Sequence, residues 1–235
     1  MATFNGIEEL YIDCGFNLVI LPHSKNFVEV KEFPKDKGIK VSQDGNELTI
    51  TTPKQNGGVN VINFGGSNSV ISIGSGNSSV FINGVNVSSQ FKAEPAIEIT
   101  VLVPVGLDLF GSCSGSISAG DANFKKISLS MIGDGDLKVS ARSAKLRISG
   151  STDTFYRSLG GDLKYSVLGS GDLKAGGEFS DVDISVSGSG DCATAGSVSG
   201  DYEASVSGSG SVSHSGPIKG RSSKSVSGSG RIRLN

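Results

Sequence analysis

The sequence predicts an all-β chain, a parallel β-helix (solenoid) of about 20 residues per coil preceded by a mixed or antiparallel β region. Three observations predict it. Glycine recurs at Gly111, Gly133, Gly150, Gly169, Gly188, Gly208 and Gly228, in steps of 22, 17, 19, 19, 20 and 20 residues. Two positions before each stand Leu109, Met131, Ile148, Val167, Val186, Val206 and Val226, all apolar, as one inward face of a strand requires. Amphipathic helical spacing is missing, because glycine interrupts nearly every candidate window.

Composition bounds the class. The chain has 235 residues, 24.0 kDa, 19% charged residues and a net charge of −2, which fits neither a disordered chain nor a strongly basic nucleic-acid binder. There are 34 glycines and 40 serines but only 6 prolines, with no three-residue glycine period, so collagen and a proline-rich linker are excluded. Cys14, Cys113 and Cys192 are too few and too scattered for a disulfide framework, and no CxxC pair offers a zinc site. The opening residues carry no basic segment followed by an apolar stretch, which leaves a cytoplasmic chain or one whose leader has been removed. No apolar run approaches the ~20 residues of a membrane-spanning helix.

The elements follow in order. Residues 1–110 form the N-terminal β region, with apolar alternation over 7–12, 16–21 and 27–33 broken by turn chemistry at Pro22-His23-Ser24 and Pro34-Lys35-Asp36. Asp44-Gly45-Asn46 between two short apolar runs reads as a hairpin turn. Residues 57–87 are a Gly/Ser/Asn-rich β excursion, and Ile97 to Val103 is a strong strand stopped by Pro104. Residues 111–235 then hold seven glycine-cornered coils of one continuous domain. In each, Gly-Ser or Gly-Asp, often followed by a second glycine, makes the corner: Gly133 with Gly135, Gly169 with Gly171, Gly188 with Gly190, Gly208 with Gly210, and Gly228 with Gly230. Four positions after the first glycine, Leu137, Thr154, Leu173, Cys192, Val212 and Ile232 restart an inward strand. An outer-membrane barrel would need strands of ~10 residues and aromatic girdles, and a sandwich would vary its turns, so both are poorer fits.

Few residues suggest chemistry. Asp136, Asp153, Asp172 and Asp191 fall on one corner position of consecutive coils, where stacked carboxylates repel, shift a pKa or share a cation, so a calcium ladder is conceivable. The simpler reading has each aspartate accepting amides of its own glycine turn. The same row could serve a polysaccharide lyase or hydrolase, but the chain lacks tryptophan platforms and Tyr156, Tyr165 and Tyr202 fall partly inward. His23 and His214 have no partner at metal or triad spacing and read as surface or lining residues. Gly65-Gly66 and Gly74-Ser75-Gly76 lack the lysine and helix of a phosphate loop. Lys219, Arg221, Lys224, Arg231 and Arg233, with no acidic residue between them, read as a solvated face at the last coil rather than a patch for an anionic glycan.

The corners Gly169-Ser170-Gly171-Asp172 and Gly188-Ser189-Gly190-Asp191 resemble those of the auto-transporter adhesin head GIN domain family of secreted bacterial proteins. Phe4-Asn5-Gly6-Ile7, Val28-Glu29-Val30, Val103-Pro104, Ser207-Gly208-Ser209-Gly210 and Gly216-Pro217 match the same rhythm. The resemblance implies a right-handed β-helix at the cell envelope or outside the cell, without catalytic residues. The expected function is a non-enzymatic, adhesin-like binding or scaffold module, with a glycan or an envelope or host surface protein as partner, no cofactor and no nucleic acid. A homo-oligomer is compatible with it. The rivals are a polymerising bactofilin-like solenoid and a polysaccharide-acting β-helix enzyme.

Overall fold

The computed structural model of the chain describes residues 1–31, 38–52, 81–82, 85–86 and 98–235. Met1–Thr52 with Ile97–Asn235 forms one compact unit and Pro53–Ala96 a second. The described residues contain strands and turns and no helix. In the second unit, β7 (Phe81–Ile82) pairs antiparallel with β8 (Val85–Asn86), and the rest of the 57–87 excursion lies outside the described residues.

The first unit is a parallel β-solenoid with an antiparallel cap. Its strands are β1 (Ala2–Asn5), β2 (Glu9–Cys14), β3 (Asn17–Pro22), β4 (Phe27–Val30), β5 (Lys40–Asp44), β6 (Glu47–Thr51), β9 (Glu98–Val103) and β10 (Asp108–Cys113). Four long strands follow, β11 (Ile117–Gly133), β12 (Asp136–Gly150), β13 (Asp153–Gly169) and β14 (Leu173–Gly188), then β15 (Asp191–Val198), β16 (Tyr202–Gly208), β17 (Ser211–Ser215), β18 (Ser222–Gly228) and β19 (Arg231–Leu234). Each long strand bends at a register shift, such as Ala141/Ala144, and so contributes to two sheet faces. The first face stacks β9, β3, the starts of β11 to β14, β15, β17 and β19. The second stacks β6, β2, β10, the ends of β11 to β14, β16 and β18.

Stacking places like residues over like. One inward column of the second face runs Leu48, Leu10, Leu109, Ile127, Ala144, Leu163, Val182 and Tyr202, each at most 5% exposed. On the first face Leu137, Thr154, Leu173, Cys192 and Val212 form another buried column. Because each coil touches only its neighbours, stability accumulates rung by rung, as apolar area removed from water at each interface.

The N-terminal region is mixed in a specific way. β2 and β3 are themselves a coil, lying between β6 and β9 on one side and β10 and β11 on the other. β5 pairs antiparallel with β6 through the turn at Gly45 (φ 57°), and β4 pairs antiparallel with both β1 and β9. The alternation in 7–12 and 16–21 reveals strands but not their partners, since Leu10 pairs with Leu109, far away in sequence.

The first glycine of the repeat is out of register. Gly111 stacks between Ile12 and Leu129, on an inward position, so it is not the equivalent of Gly133. The long step of 22 residues comes from this misplacement, and Cys113, not Leu109, lies beside Met131. Ile117 pairs with Leu137 and Ala119 with Val139.

Candidate functional site

The corners are built from backbone. Gly188 has φ 133°, a region that a side chain disfavours, and a Cβ there would penetrate the Gly169 carbonyl oxygen one coil earlier. That conformation turns each corner carbonyl toward the next coil. Gly169 O accepts the N–H of Ser189, and Gly188 O that of Ser209, both at 2.9 Å. The pattern repeats from Gly133 to Gly228, so these glycines are an internal ladder rather than loops. A further ladder at Gly177, Gly196 and Gly216, which the glycine count in the sequence does not single out, approaches as closely on the first face.

The aspartate row lies along one edge of the first face. Asp136 and Asp153 are directly opposite, and Asp191 is followed by Ser211 and Arg231. The carboxylates of Asp172 and Asp191 reach the next coil, whereas the simpler sequence reading puts them on their own turns. Asp172 Oδ1 accepts the N–H of Asp191 at 2.8 Å, and Asp191 Oδ1 accepts the N–H and hydroxyl of Ser211 at 3.0 and 2.7 Å. An amide one coil on points straight at the oxygen because coils stack in register, a geometry that local turn rules do not contain. A second, parallel clasp exists at Asp181, Asp201 and Arg221: Asp181 takes the Asp201 N–H at 2.7 Å and Asp201 the Arg221 N–H at 2.8 Å. Asp201 also pairs with the Arg221 guanidinium at 3.5 Å, so the basic cluster of the last coil has an acidic neighbour in space. Among the described residues no three of His, Cys, Asp and Glu are grouped as metal ligands.

The interior turns polar toward the last coils. Tyr156, Tyr165 and Tyr202 are all buried, and burial pushes Tyr156 and Tyr202 up to about 12 and Tyr165 higher still. Burial, with the Asp172 and Asp191 charges, likewise pushes the Cys192 thiol up to about 12. The buried Cys113 thiol donates to the Phe16 carbonyl at 3.4 Å. His214 is 2% exposed and stacks on Thr194. Its Nδ1 lies 2.9 Å from Thr194 Oγ1, which is 2.8 Å from the Tyr202 hydroxyl, and its Nε2 finds no hydrogen-bond partner. Burial holds its pKa below the ordinary imidazole value. His23, by contrast, accepts the Lys25 N–H at 3.0 Å in its turn and packs against Phe27. Among the described residues neither histidine has a triad around it.

The outward positions carry rows. On the first face the Lys138 and Lys174 ammoniums each lie 5.6 Å from the centroid of Phe155, stacked between them and 39% exposed. On the second face Arg147, Ser166, Ser185, Ser205 and Ser225 form one column, and Lys145, Lys164, Asp183 and Glu203 the next. One open groove of about 560 Å³ lies between the second-face rows, and two others, of about 460 and 390 Å³, lie toward the last coils. The rows escape a reading of the sequence because the variable outward letters become partners only once the register is known.

A family model described as "putative auto-transporter adhesin, head GIN domain" matches residues 15–217. The chain belongs to that family. Solved structures share the fold at low sequence identity. A protein from Parabacteroides distasonis, described as a putative lipid binding protein, is 17% identical, with 100% of this chain and 96% of that chain covered and a TM-score of 0.55. A putative adhesin from Parabacteroides merdae is 12% identical, with coverage of 100% and 94% and a TM-score of 0.50. A putative adhesin from the same Parabacteroides distasonis is 13% identical, covers 100% and 95%, and also scores 0.50. These likenesses show the fold. None of the curated proteins matches the chain. No helix among the described residues is long and apolar enough to cross a membrane.

Proposed function

We propose that this head GIN chain is a non-enzymatic binding module of the cell envelope or cell exterior, which holds a glycan or a surface protein along the solenoid faces. What supports the reading is the distribution of polar groups. Hydroxyls and charges stand in columns one rung apart, about 4.8 Å, over open grooves, while the buried Thr194, Tyr202 and His214 Nδ1 are tied to one another. Binding on such a face adds many weak contacts rather than filling one deep pocket. Two of the aspartates in the row, Asp172 and Asp191, are engaged with backbone amides of the next coil. The description of the matching family as an adhesin domain supports a role at the cell surface.

The test is retention. Immobilised protein should hold at least one of a panel of host glycans, mucins and bacterial envelope fractions saturably, and a carbohydrate panel incubated with the soluble protein should show no new reducing ends. Absence of retention at high protein concentration would refute the binding role, and turnover that is lost in Asp172→Asn with Asp191→Asn would establish the enzyme instead.

A further inference from the structure

The largest of these grooves lies across the second face from β11 to β16 and measures about 560 Å³. We propose that it binds an anionic polysaccharide of hexuronic-acid type, lying along the solenoid axis with a sugar carboxylate between Lys145 and Arg147. This rests on the surface-binding reading and names its ligand.

Charge is the first ground. Lys145 and Arg147 are alternate residues of one strand, so both side chains emerge from the same face, and both are exposed. The neighbours of Lys145 in the column are Ser128 and Lys164, and those of Arg147 are Ser130 and Ser166, so neither cation meets a carboxylate across the strands. Lys164 adds a third cation, engaged by Asp183 at 2.5 Å. The groove thus lines three cations against one carboxylate in a chain whose net charge is −2.

Shape and spacing are the second. Beyond Arg147 the same column continues as Ser166, Ser185 and Ser205, hydroxyls one rung apart, with Ser205 donating to Ser185 at 3.2 Å. A rung of about 4.8 Å is close to the length of one pyranose in an extended chain, so successive sugars meet equivalent hydroxyls without losing register over a few units. Leu168, 63% exposed, offers an apolar surface for the C–H face of a ring. At the far end Asp183 and Glu203 follow the cations in the neighbouring column, which sets a polarity along the groove. A membrane surface would call for a continuous apolar border, whereas Leu168 is the exposed large apolar side chain in this lining.

The experiment titrates the protein with polygalacturonate, with its fully methyl-esterified form, and with phosphatidylglycerol vesicles. Binding is expected for polygalacturonate alone and should weaken as salt is raised. In the double variant Lys145→Gln with Arg147→Gln its dissociation constant should rise about tenfold at unchanged melting temperature, since two exposed charge contacts are lost. Arg231→Gln with Arg233→Gln, in the last coil, should bind like the parent chain. Equal binding of the ester, equal loss in the Arg231 and Arg233 variant, or binding to vesicles alone overturns the site while leaving a surface-binding role intact. Failure of every polymer, vesicle and envelope fraction to bind overturns both.

Discussion

The Asp191 carboxylate accepts both the backbone N–H and the hydroxyl of Ser211, the residue stacked on it one coil later. Together with Asp172 on Asp191, and Asp181 and Asp201 on the clasp beside it, this makes the corner carboxylates staples between coils. Asp191→Ala should therefore lower the unfolding free energy by about 1 kcal/mol, allowing for exposure to solvent. Asp191→Asn, which keeps an acceptor oxygen, should lose less. Urea unfolding of the three proteins checks the order, and an Ala variant as stable as the parent would remove the staple.

The same geometry gives an expectation for calcium. Asp172 and Asp191 each already commit an oxygen to an amide, so adding calcium or a chelator should leave the melting temperature unchanged. A rise of several degrees with calcium, reversed by chelation, would mean that the row of Asp136, Asp153, Asp172 and Asp191 shares a cation after all.

Two glycines with positive φ separate conformational strain from steric closure. A methyl added at Gly45 (φ 57°) would have no neighbouring atom within 4 Å, so Gly45→Ala should cost only the left-handed backbone penalty, about 1 kcal/mol. Gly188 (φ 133°) would drive a methyl into the Gly169 carbonyl, and Gly188→Ala should cost more than about 2 kcal/mol by forcing coils apart. Equal costs at the two sites in thermal unfolding would contradict a close-packed ladder.

Much of this architecture is legible in the sequence because a solenoid writes its period directly: the column through Met131, Ile148, Val167, Val186 and Val206 can be read by counting. Gly111 misleads for a physical reason. It is a glycine in positive φ pressed on the Ile12 backbone, with the same chemistry as a corner but inside a strand. The Asp181 and Asp201 clasp and the Lys145, Arg147 and Lys164 cluster are hidden for another: they fall among the variable outward letters, which become partners only once the register is known. The N-terminal coil is the extreme case, since its pairing crosses from Leu10 to Leu109 with no repeat to announce it.

Cys192 offers a test of interior dryness. Its thiol, 1% exposed between Leu173 and Val212 and shifted up to about 12, should resist alkylation by iodoacetamide at pH 8 in the native protein and react promptly in urea. Rapid native labelling, located by mass spectrometry, would show that the first face opens near the last coils.

His214 makes stability depend on pH in a definable window. Burial lowers its pKa in the folded state from 6.5, so the unfolded chain binds the proton first. Above 6.5 both states are neutral and the residue adds no pH dependence. As pH falls below that value the unfolded state gains a proton that the folded state refuses, and stability drops until the folded pKa is passed. The cause is local: burial disfavours the imidazolium by more than the Gly216 backbone favours it, with Nδ1 committed to Thr194 and Tyr202 packed at 4.9 Å between ring centroids. His214→Gln, which can keep the bond to Thr194 but does not titrate, should flatten the profile of unfolding free energy as pH falls below 6.5. Parallel profiles for parent and variant would place the imidazole in contact with water, and with it the end of the solenoid core.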